Sequence, residues 1–284
     1  MNRNTKPWQP VLRHLLLILL GFLLVYPILF MFFASFKESN EIFSSRSLFP
    51  KQFLFENYIN GWQSGATGRL TFTNFFINTF TLVIPVVFFT LVSCSLVAYG
   101  FARFQFPFKK ILFPVMIATL MLPNTIIIIP RFTLFNSMGW LNSYMPFIVP
   151  AVLACYPFFI FMIIQFLRGV PQSLDESAKI DGCNSMRILL SIIVPLMKPA
   201  LFSAGLFQLM WTWNDFFNQL IFLNSPSKYT LALGLRLTID ASTEAVKWNE
   251  VMAMSVCSIT PLVLLFFACQ RYFVDGVATS GIKG

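Results

Sequence analysis

Residues 169–182 read Gly169-Val-Pro171-Gln-Ser173-Leu-Asp175-Glu176-Ser177-Ala178-Lys179-Ile180-Asp181-Gly182, a polar interlude in a strongly apolar chain. Ser173 followed three residues later by Glu176 has the form of a capping box. Asp175 adds charge suited to a helix N-terminus, and Gly182 supplies a C-terminal stop. The spacing predicts a helix of about two turns within 173–182. A helix that short is marginal alone in water, so it needs a surface to dock against. Leu174, Ala178 and Ile180 offer an apolar side, while Asp175, Glu176, Lys179 and Asp181 are available for polar contacts. The small residues Ser177, Ala178 and Gly182 permit close approach. Two readings stand on the residues alone: an interfacial linker, or a docking element for a partner.

On either side of this interlude the chain is apolar. Of 284 residues, 57% are hydrophobic and only 11% charged, Phe alone contributes 35, and the mean hydropathy is +0.72. A soluble core of this size could not bury that much apolar surface, which excludes a cytosolic enzyme, a disordered chain and a disulfide scaffold. Runs at Leu12–Phe33, Asn78–Tyr99, Ile111–Pro130, Met145–Leu167, Pro199–Leu220 and Val251–Tyr272 each approach the ~20 residues a spanning helix needs. None alternates as a barrel strand does, so the expected class is an all-α integral membrane protein with six transmembrane helices. The first run is longer than a signal-peptide core and lacks a convincing cleavage site, so it reads as a retained helix.

Six spans put both termini on one side. If that side is the cytoplasm, its segments carry twelve basic and four acidic residues, a surplus of eight within the total of +9. The excess of Lys and Arg in short loops assigns the termini to the inside. On that reading the net charge reports orientation and calls for no nucleic-acid partner. Residues 34–77 and 221–250 are then external, and 168–198 form the longest internal segment.

His14 is the single histidine, so multi-histidine metal sites and His-dependent nucleophilic triads have no basis. Cys94, Cys155, Cys183, Cys257 and Cys269 form no CxxC pair and read as small apolar residues. The tail Gly276-Val-Ala-Thr-Ser-Gly281-Ile282-Lys283 lacks the adjacent Gly-Lys-Ser/Thr of a phosphate loop. No catalytic residue, metal site or cofactor is expected in this chain.

Glu176-Ser177-Ala178, then Gly182, Ile192 and Pro195, resembles the EAA motif of membrane subunits of ATP-binding-cassette importers. That pattern is EAA, three residues, Gly, nine residues, Ile, one residue, Leu-Pro. Every spacing matches; Ser177 stands for Ala and Val194 for Leu. Ile180-Asp181-Gly182, Trp213-Asn214-Asp215-Phe216, Ala98-Tyr99 with Arg103, Leu122-Pro123 and the terminal Gly281-Ile282-Lys283-Gly284 are similar to the carbohydrate-uptake branch, of the maltose-importer second-permease type. Coverage is essentially the whole chain.

The resemblance implies a type I importer permease of six helices: an N-terminal segment, first helix and external loop over 1–72, a transmembrane domain over 73–272 and a cytoplasmic tail over 273–284. It implies four kinds of partner: a second homologous permease, two cytoplasmic ATPase subunits that hold ATP and Mg, an extracytoplasmic solute-binding protein, and a sugar substrate. The 173–182 helix would be the coupling helix, with Glu176, Ser177, Ala178, Ile180, Asp181, Gly182, Ile192 and Pro195 as coupling positions. The expected location is a bacterial or archaeal cytoplasmic membrane.

Asp215 is the one acidic residue inside an expected span, and with Trp211, Trp213 and Asn214 it makes a polar and aromatic cluster. Charges there usually face a bundle interior or a water-filled cavity. Solute contact and interhelical packing both remain open for these four. The expected spans hold no deeply buried Lys or Arg, which favours a neutral sugar over an anion such as glycerol 3-phosphate. A stand-alone secondary transporter would show an internal repeat or several embedded ionisable groups, and neither is found.

Overall fold

The computed structural model describes residues 8–63, 70–240 and 246–278, and all regular structure in them is helical. In chain order the α-helices are α1 (Trp8–Ala34), α2 (Ser39–Ser44), α3 (Glu56–Gln63), α4 (Phe72–Arg103), α5 (Lys109–Thr119), α6 (Asn124–Ser137), α7 (Met145–Val152), α8 (Pro157–Arg168), α9 (Ser173–Ile180), α10 (Ser185–Ile188), α11 (Val194–Leu196), α12 (Lys198–Trp213), α13 (Phe216–Phe222), α14 (Leu231–Asp240) and α15 (Trp248–Ala278). Gly281–Gly284, quoted above for its resemblance, lies outside the described residues.

Among the described residues, four segments are long and apolar enough to cross a membrane: Val11–Ala34, Phe72–Arg103, Met145–Arg168 and Trp248–Gln270. Two bent pairs raise the total to six if each is one span. The third expected run, Ile111–Pro130, is not one straight helix: α5 and α6 meet at 103°. Pro123 is extended at the break (φ −63°, ψ 134°) and disfavours helix in the residue before it, so α5 ends at Thr119. The fifth run, Pro199–Leu220, also ends early. α12 stops at Trp213 and pairs instead with Ser185–Leu196 across a 78° bend at Met197, between Pro195 and Pro199.

The chain divides into two compact units, residues 1–73 with 235–261 and residues 74–234 with 262–284. In the first, the apolar window of α1 has none of its length buried, as expected of a helix whose solvent is lipid. Its polar anchor is Asn57, whose Nδ2 donates to the carbonyls of Ser35 and Lys37 at 2.9 Å each and whose Oδ1 accepts from Asn249 at 2.7 Å. The fully buried Lys37 extends its Nζ to the Ser47 carbonyl (2.6 Å), which gives the ammonium a hydrogen-bond acceptor.

The second unit has two apolar clusters. One joins Cys94, Ala98 and Tyr99 of α4 to Phe159, Ile163 and Leu167 of α8, Ala178 of α9, and Ile188 and Ile193 beyond it. The other gathers Leu82, Val86, Ile128, Phe135, Phe147 and Phe222. Through Ala178, α9 packs against the first cluster.

Candidate functional site

α9 follows α8 after a short turn through Gly169, Val170 and Pro171. Its two faces differ. Asp175 and Ala178, three residues apart, are each 6% exposed and face the unit's core. Leu174, Glu176, Ser177, Lys179, Ile180 and Asp181 are exposed, Ile180 at 86%. Leu174 and Ile180 are therefore not packed with Ala178, as the expected apolar side would have it, but lie in the open.

The expected capping box does not form. Gln172 is already helical (φ −69°, ψ −23°), which makes Ser173 the first helical residue with no side-chain cap. Ser173 instead offers its carbonyl to the Ser177 hydroxyl at 2.9 Å. The charge expected at the helix start has another partner: Asp175 Oδ2 lies 3.0 Å from Arg103 Nε, and both side chains are under 10% exposed. A second guanidinium nitrogen of Arg103 donates to the Val170 carbonyl at 3.0 Å.

The other end of α9 matches expectation. Cys183 N–H donates to Ala178 O (2.9 Å) and Gly182 N–H to Lys179 O (3.0 Å), the paired bonds of a Schellman ending. Gly182 sits at φ +80°, where a side chain is strained, and the space its Cβ would enter is open. Asn184 then caps α10 by accepting from Arg187 N–H at 2.8 Å.

Downstream, Leu189–Ile193 widens into a π-turn, with Val194 N–H reaching back to Leu189 O. Pro195 has no N–H to give the Ser191 carbonyl, which supplies a physical reason for irregularity here. Ile192 is half-buried and Pro195 exposed. Glu176–Gly182 and Ile192–Pro195 therefore sit on different elements, joined by α10 and the π-turn.

Trp211, Trp213, Asn214 and Asp215 each have different partners. Asp215 lies at a helix break, where its carboxylate caps α13 by accepting from Asn218 N–H (3.1 Å) and Nδ2 (2.9 Å). Trp213 is buried edge-on to Phe80 (5.3 Å), whereas Trp211 is half-exposed beside Phe158 and Phe159. Asn214 is exposed and donates to the Met210 carbonyl at 2.8 Å.

Two features escaped the sequence reading. Gln208 donates to Thr212 Oγ1 (2.9 Å), Gln219 donates to Thr212 O (3.0 Å) and Thr230 bonds Gln219 Oε1, a buried polar line whose signal was four amide or hydroxyl residues in apolar context. Arg131 is a half-buried cation within α6, its guanidinium 5.7 Å from the ring centres of both Phe135 and Phe222. Arg131 lies one residue beyond the third expected run, which ends at Pro130, whereas α6 runs on to Ser137.

Residues 91–279 match the family model described as binding-protein-dependent transport system inner membrane component. The arabinooligosaccharides transport system permease protein AraQ of Halalkalibacterium halodurans is 30% identical over the full length of both chains. The diacetylchitobiose uptake system permease protein NgcG of Streptomyces coelicolor is 28% identical over 93% of this chain and 86% of its own. The sn-glycerol-3-phosphate transport system permease protein UgpE of Yersinia pestis is 28% identical over 94% and 95%. A solved bacterial ABC transporter involved in import of the acidic polysaccharide alginate superimposes with a TM-score of 0.84 at 21% identity, over 96% of this chain and 100% of that one.

Proposed function

Because this chain belongs to the binding-protein-dependent transport system inner membrane component family, we propose that it is the permease subunit through which an ATP-driven importer passes a sugar or oligosaccharide. It would pair with a second homologous permease, two cytoplasmic ATPase subunits and an extracytoplasmic solute-binding protein. ATP and Mg would be held by the ATPase subunits; this chain is a permease and not itself an enzyme. Both termini are assigned to the cytoplasmic side of a bacterial or archaeal inner membrane by the Lys and Arg surplus.

The two-faced geometry of α9 carries the coupling reading. One face is locked into the permease through Asp175 and Ala178, while Leu174, Glu176, Ser177 and Ile180 stand free for a partner. In the mechanism this supports, ATP draws the ATPase subunits together, α9 moves with them, and the helical unit exchanges inward-facing for outward-facing access as a rigid-body shift. Glu176, Ser177, Ile180, Asp181 and Gly182 would form the contact. Ala178 would seat the helix, and Ile192 and Pro195 would mark the far end of the moving segment. Glu176→Lys should leave the permease in the membrane yet abolish uptake and solute-stimulated ATP hydrolysis. Retention of both in reconstituted vesicles would overturn the coupling role.

The sugar reading is supported by the names of AraQ and NgcG. Arg131 favours a second reading, an anionic solute as in the name of UgpE, although Asp215 lies close enough to act on it electrostatically. Uptake of labelled arabinotriose, diacetylchitobiose and glycerol 3-phosphate separates the two. On the anionic reading, Arg131→Gln reduces glycerol 3-phosphate uptake selectively; on the sugar reading that solute is not carried.

A further inference from the structure

We propose that Arg103 and Asp175 form a strut that locks the coupling helix to the cytoplasmic end of α4, so that displacement of α9 is delivered to α4 without slack. The inference rests on the coupling role of α9 and names the residues that would transmit its motion. Arg103 is the last residue of α4 and Asp175 lies in the first turn of α9. Seventy-two positions separate them in sequence, yet Nε and Oδ2 are 3.0 Å apart with side chains 7% and 8% exposed.

The guanidinium also holds the Val170 carbonyl, so one side chain grips both α9 and the turn that enters it. Tyr99, four residues before Arg103 and on the same face of α4, places its phenol beside the Asp175 carboxylate. Apolar contact alone could slide: α9 contributes only Ala178 to the buried core here, and Ala has little shape with which to set a register. Burying two charges for stability alone is poorly rewarded, since packed apolar residues often serve as well. A close buried ion pair on one side of the guanidinium and a hydrogen bond to the Val170 carbonyl on another define a position for α9, and a transmitting joint requires that. Both are positioning residues, acting through α9 and the turn that enters it.

The test uses the complete transporter in lipid vesicles, with nitroxide labels on ketone-bearing residues at the exposed Lys179 and Leu96, which leaves the five native cysteines in place. The parent separation should be the same with and without ATP, within about 2 Å, as for a rigid body. In Arg103→Met/Asp175→Leu, which replaces the pair without stranding a charge, the separation should move with ATP by about one helical turn, ~5 Å. Arg103→Lys guards against poor assembly of the double variant: it keeps the charge but gives up the second grip on Val170, and should broaden the distance distribution.

An ATP-dependent separation in the parent overturns the strut. So does parent-like behaviour in both variants. The underlying reading fails separately: it falls if the mobility of the Lys179 label alone is unchanged when the ATPase subunits bind.

Discussion

At Gly182 the backbone takes φ +80° while the space around its Cα is empty of this chain's own atoms. The two facts predict different penalties for different substitutions. Gly182→Ala should cost about 1 kcal/mol through backbone strain alone, read as a small fall in the thermal midpoint of the purified complex. Gly182→Asp adds bulk and charge to the open side, and should lose uptake far beyond what that strain explains. Equal transport by the two variants would show that nothing docks there. Asp215 makes a similar contrast. As the cap of α13 its replacement by Ala should cost about 1 kcal/mol, whereas Asn retains the cap. Loss of uptake in Asp215→Asn with unchanged stability would place the carboxylate on the solute path; unchanged uptake kinetics would leave it a cap.

Among elements, the contact of α14 with α4 is the least forgiving. A Cβ on Gly234 would lie 2.3 Å from the ring of Phe75, which is completely buried and has nowhere to retreat. Gly234→Ala should therefore destabilise by about 1–3 kcal/mol, measurable as reduced yield and a lower thermal midpoint of the detergent-solubilised complex. The joint between α4 and α9 responds to substitution by a different route. Asp175→Leu alone strands the buried Arg103 and should cost about 3–5 kcal/mol, with Arg103→Met in the same chain restoring most of it.

Helix existence at this scale was legible in residue patterning: the short helix over 173–180, its glycine stop and the long apolar runs all follow from local chemistry. Its N-terminal cap was not. Gln172 had already turned helical and Asp175 had a partner seventy-two positions away, a competition no local motif reveals. The bends at Leu120–Pro123 and Met197 were likewise hidden inside apolar runs, because a hydropathy count registers composition and not axis direction.

For the molecule as a whole, the distribution of Lys and Arg predicts that a fluorescent protein fused after Gly284 will fold in the cytoplasm and fluoresce, while an alkaline phosphatase fusion there stays inactive. The opposite pair of results would reverse the orientation and remove α9 from the reach of any cytoplasmic ATPase. Class, membrane residence, family and the existence of the short helix over 173–180 were determined by sequence alone. They depend on composition and on motifs within some twenty consecutive residues, where lipid solvation and local spacing leave few alternatives. Tertiary structure decided which side of α9 is free, which charge holds it, and the different surroundings of Trp211, Trp213 and Asp215. Those outcomes turn on side chains meeting across long separations, where burial and pairing are settled by packing rather than by neighbours in the chain.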